Sequence, residues 1–173
     1  MLAESFESIQ EFLETGGQVL NYIGILIFLM WVLILERIIY LFFVYKGHRR
    51  DLITQWKERP ERQSWNAEQI RQAMISRTRI SLNQSLSTIQ AFVALCPLLG
   101  LLGTVTGMIE VFDVMAISGS GNARSMASGV SKATIPTMAG MVGALSGVFA
   151  STWLKRTAKK ETELLEDKLV LDH

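Results

Sequence analysis

With 173 residues, 49% of them hydrophobic, and a positive mean hydropathy, the chain suits a small membrane protein better than a soluble domain. A formal charge of +1 and one cysteine, Cys96, leave no disulfide framework and no cysteine zinc pattern. There is no Ser–His–Asp set and no His–carboxylate cluster, so neither an enzyme nor a metal or cofactor is expected.

Residues 1–17 place Leu2, Phe6, Ile9 and Leu13 at helical spacing against Ser and Glu. This predicts an amphipathic helix on the outer, periplasmic membrane surface, with a flexible tail as the alternative reading. Glu4, Glu7, Glu11 and Glu14 occupy the place of a basic n-region, so no signal peptide is expected here. Residues 18–45 form the first expected span, with bulky Ile25, Phe28 and Leu33 all round, as a lipid-facing helix requires. Trp31, Tyr40 and Tyr45 would sit at the inner interface. Glu36 and Arg37 are adjacent and diverge by about 100°, so each is expected to pair with neighbours rather than with the other.

Residues 46–87 are polar and basic, divided by Pro60, with Ser64 capping the helix that follows. No local signal interrupts that helix before the next apolar run. The second span, 88–117, is therefore expected to continue below the membrane as one long helix. His48 and His173 are isolated and expected to be solvated. After a short polar turn, 118–125, the third span covers 126–154, and a helix-favouring tail, 155–173, would extend it.

The second and third spans are rich in small and hydroxylated residues rather than Leu and Phe. Cys96, Gly100, Gly103, Thr104, Gly107 and Glu110 share one strip; Lys132, Pro136, Ala139, Gly140, Gly143 and Gly147 share another. Small residues at this spacing let helices approach closely in lipid, where little hydrophobic force presses them together. Lys132 sits well inside the third span, where an ionisable group is costly unless paired or wetted. Pro136 lacks an N–H and so frees the Lys132 carbonyl from its helical donor. The stretch GLLGTVTG is not a phosphate loop, because no strand precedes it and GK[ST] is absent.

Charge sets the orientation. Nine Lys or Arg fall between Lys46 and Arg79 and five between Lys155 and Lys168, against one, Arg124, in the turn. The positive-inside rule then puts the N-terminus and turn outside and the middle segment and tail in the cytoplasm. Basic runs flanking spans touch anionic lipid, so membrane lipids rather than nucleic acid are the expected contacts. The fold expected is an all-α integral membrane protein of three transmembrane helices, the second and third extended into the cytoplasm.

PLLGLLGTVTGMIEVF (97–112) and GVSKATIPTMAGMVGALSG (129–147) resemble the second and third spans of the ExbB/TolQ/MotA proton-channel family, closest to short ExbB proteins. The Glu36-Arg37 pair and the outside-first topology agree with it. The resemblance implies a bacterial inner-membrane protein forming a pentamer around the single spans of an ExbD-like partner that carries a membrane Asp. In that family the proton gradient energises TonB, which drives uptake of iron carriers across the outer membrane. By position, Thr104 and Thr137 match two pore-facing threonines and Pro97 the second-span proline. Lys132 stands where ExbB and TolQ commonly have glutamate. The expected proton pathway is then Lys132, Thr104 and Thr137, with Lys132 as counter-charge to a partner's Asp. Pro97, Gly100, Gly103, Gly107, Pro136, Gly140, Gly143 and Gly147 are expected to pack or kink the helices. Rival readings are a TolQ-like or stator-like motor subunit and a non-conducting scaffold; a solute permease would need a larger chain with internal repeats.

Overall fold

The computed structural model describes residues 17–61, 64–119 and 123–169. The amphipathic helix expected at the N-terminus and His173 lie outside the described residues, as do parts of the turn and tail. Every described regular element is helical: α1 (Gly17–Ile39), a π-helical turn (Tyr40–Val44), α2 (Tyr45–Lys57), α3 (Trp65–Asn83), α4 (Leu86–Ser118) and α5 (Ala123–Lys168). Three helical runs are long and apolar enough to cross a membrane: Gly17–Lys57, Trp65–Ile117 and Met126–Lys168. The protein is an all-α membrane protein of three spans.

The helix starts and stops follow local chemistry. Chain direction changes at Pro60, and Ser64 caps α3 by accepting from the Ala67 amide at 3.2 Å. The third span and its tail form one unbroken 46-residue helix, α5. The second span differs from expectation. It does not run on from α3, because Gln84 leaves the helical region and Ser85 takes a left-handed φ of 63°.

The described residues fall into two compact units. One takes the chain up to Trp31 together with Gln90–Val148. Here α4 and α5 run antiparallel, as the pairing of their small residues shows. A Cβ on Gly100 would lie 2.9 Å from the Thr137 Cα, and one on Gly107 2.7 Å from the Ala133 Cβ. Gly103 faces the Pro136 ring, Gly129 faces Val111 and Gly140 sits under the Cys96 carbonyl. In α1, Ile27 fills the space left by Gly143 and Met30 that left by Gly147. Gly100, Gly103, Gly107, Gly140, Gly143 and Gly147 each face another helix, and only a missing side chain allows these distances.

The other unit takes Val32–Ile89 and Phe149–His173, as far as these are described. Trp56, Ala67, Ile75, Leu165 and Leu169 form its buried apolar cluster. Around it, Arg49 pairs with Glu161 at 2.7 Å and Arg71 donates to the Leu169 carbonyl at 2.6 Å. Arg37 is buried and donates to the Ser81 carbonyl and the Ser85 hydroxyl, both at 3.2 Å. Its Nε also comes within 2.9 Å of the Glu36 carboxylate, out of line for a hydrogen bond. Arg37 finds the neighbours expected of it, but its ion pair with Glu36 departs from the expectation that the two would diverge.

The π turn explains why two tyrosines are not at the interface. In an α-helix, residues five apart diverge by about 140°. Here the Tyr45 amide bonds to the Tyr40 carbonyl, an i→i+5 link that brings them to one side. Tyr40 consequently bonds Ser81, and Tyr45, 1% exposed, donates to the Glu161 carbonyl. Trp31, 38% exposed, keeps the outward position. The first span is likewise not lipid-facing all round, since Leu20, Ile23, Met30 and Ile34 make a buried stripe.

Candidate functional site

A cavity of about 600 Å³ opens in the first unit, among the start of α1, the second half of α4 and the first half of α5. Its walls come from the small-residue contacts. Gly103, Gly107, Gly129, Ala133 and Pro136 line it, so short side chains both close the helices together and leave space beside the seam. Its polar groups are Gln18, Thr106, Glu110 and Lys132.

Lys132 lies nine residues into α5, about 14 Å along the helix from Ala123. Its side chain is exposed and makes no ion pair with a described residue. An amine at that depth is costly in lipid, and lining a cavity that water or a partner can enter relieves the cost. Beside it, Pro136 is buried against Gly103.

The two threonines matched by resemblance stand apart from this cavity within a single chain. Thr137 donates to the Gly100 carbonyl of α4 at 2.8 Å, tying the two helices together. Thr104 turns back on its own helix, donating to Leu101 at 2.7 Å. Such back-bonding satisfies a hydroxyl where water is scarce. Thr106, which the resemblance does not single out, is the threonine that reaches the cavity, and its hydroxyl lies within bonding distance of the Leu102 and Gly103 carbonyls. Gln18 joins from α1, and no spacing within its own segment could have announced it. Pro97 is half-buried inside α4.

Among the described residues no group of His, Cys, Asp and Glu is gathered to hold a metal ion. The model of the MotA/TolQ/ExbB proton channel family matches residues 41–167, a stretch that includes α4, the Lys132 turn and Pro136. The chain belongs to this family. It is similar to the ExbB-like 1 biopolymer transport protein of Synechocystis sp., 48% identical over 60 residues, covering 33% of this chain and 24% of that one. It is also similar to the exbB1 biopolymer transport protein of Vibrio cholerae, 38% identical over 87 residues, covering 47% and 38%. A second Synechocystis relative, ExbB-like 3, is 32% identical over 88 residues, covering 47% and 42%. The matched region therefore spans less than half the length of each of these relatives.

For a MotA/TolQ/ExbB protein the α4–α5 pair is the informative part. Its glycines bring the two backbones together, and two of its ionisable side chains, Glu110 and Lys132, line the cavity beside the seam. Ionisable groups within a span are rare and costly, and this pair of helices sets an amine and a carboxylate on one cavity.

Proposed function

We propose that the protein is a subunit of a proton-motive-force-driven motor of the bacterial inner membrane, in which an ExbD-like partner carries the proton on a membrane Asp. Lys132 is the counter-charge to that Asp, with Thr104 and Thr137 as hydrogen-bonding groups along the pathway. By family resemblance the working assembly is a pentamer that energises a TonB-like protein for uptake across the outer membrane. The N-terminus is periplasmic, and residues 46–87 and 155–173 are cytoplasmic.

The observation that carries this reading is the Lys132 amine, opening on a cavity in a span without an ion-pair partner among the described residues. An ammonium repels cations and attracts carboxylates, so it suits a subunit whose proton rider belongs to another chain. The names of the relatives, biopolymer transport proteins, favour transport over a flagellar or envelope-maintenance motor. A scaffold that only packs helices has no use for two charges beside its helix seam.

Proton flux into vesicles holding this chain and its partner tests the reading. Flux should depend on the partner's Asp and fall on its replacement by Asn. Flux equal with and without that carboxylate would contradict it.

A further inference from the structure

Lys132 shares its cavity with a carboxylate. The α4–α5 register pairs Gly107 with Ala133 and Val111 with Gly129, which sets Glu110 of α4 and Lys132 of α5 at nearly the same height. Both line the cavity, and no other described lining residue is charged; α1 contributes Gly17, Gln18 and Val19. Both side chains are exposed, and neither is in an ion pair with a described residue.

We propose that Glu110 is the resting counter-ion of Lys132, and that a partner's carboxylate entering the cavity displaces it. The proposal deepens the function above and rests on it. Opposite charges bordering one cavity attract each other. Lysine's flexible four-carbon stem lets the amine re-orient within the cavity. The backbones need not move, because the Gly107–Ala133 contact already holds them together.

Two consequences follow from the chemistry. Without a partner Glu110 is the counter-charge available to the amine, so the chain alone need not leave that cation unbalanced in the membrane interior. With a partner, one carboxylate replaces another, so the exchange is nearly balanced and can be reversed in each cycle. Protonation of the incoming acid then releases Lys132 back to Glu110, and the cycle is not trapped at a permanent ion pair.

A membrane-permeant carbodiimide, which joins a carboxylate to an amine only when the two touch, reads this directly. Membranes containing the chain alone, or the chain with its ExbD-like partner, are treated, digested and analysed by mass spectrometry. The internal standard is Lys159–Glu163, an exposed pair 3.8 Å apart. The chain alone should yield a 110–132 amide. In the complex that product should fall about fivefold or more, replaced by a link from Lys132 to the partner, and Glu110→Gln should raise the latter. Absence of the 110–132 product beside a formed 159–163 product would overturn the pairing, and an undiminished yield in the complex would overturn the displacement. Failure of the motor reading is distinguishable. It would show as normal transport in Lys132→Ala, whatever the cross-link does.

Discussion

Gly107 and Ala133 meet on the seam between α4 and α5, so that a Cβ added to Gly107 would lie 2.7 Å from that of Ala133. This contact places Glu110 and Lys132 beside one cavity. It also makes the pair of helices intolerant of volume. Gly107→Val should destabilise the protein by about 1–3 kcal/mol through overpacking, while Gly24→Ala, at a site with open space around it, should not. Thermal unfolding in detergent checks the difference.

Arg37 closes the C-terminal end of α3 by donating to the Ser81 carbonyl, and it holds Ser85 in its left-handed turn. Arg37→Met should cost about 2–4 kcal/mol, since it strands a helix-end carbonyl and removes bonds from a charged donor. Arg37→Lys should recover only part, because an ammonium cannot reach two acceptors with the guanidinium's planar fork. Unfolding midpoints of the two variants decide this.

Thr104 and Thr137 should separate. Thr137→Val removes a bond between helices and should cost about 0.6 kcal/mol, with an upper value of about 1.7. Thr104→Val removes only a bond within its own helix and should leave stability nearly unchanged. A transport defect in Thr104→Val at normal stability would therefore report a role in the pathway rather than in packing. Normal transport would confine Thr104 to its helix.

Ser64→Ala should cost about 1 kcal/mol by removing the cap on the Ala67 amide. The loss should be local. Hydrogen exchange should quicken in the first turn of α3 and not in α4.

The spans, the glycine seam, the Pro60 division and the Ser64 cap could all be read from the chain, because each depends on residues close together in sequence. The seam needed only helical spacing, as at Gly100, Gly103 and Gly107. What escaped that reading depends on distant partners. LNQSLS contains no Gly or Pro, and the break at Gln84–Ser85 is held by Arg37, 48 residues from Ser85. The inward turn of Tyr40 and Tyr45 requires a π turn that no local pattern marks, and their partners are Ser81 and Glu161. In the site, Lys132 stood out because a charge inside an apolar run is costly. Glu110 shared a helical strip with Gly103 and Gly107, which line the same cavity. Thr106 and Gln18 became visible only once three helices were placed together.

The central claim is that the Lys132 amine works with a partner's carboxylate. Nutrient uptake dependent on the ExbD-like partner, measured for Lys132→Ala and Lys132→Glu at matched membrane levels, tests it most directly. Loss of about tenfold or more in both, which is about 1.4 kcal/mol of coupling, is the predicted result. Wild-type uptake in both would contradict it.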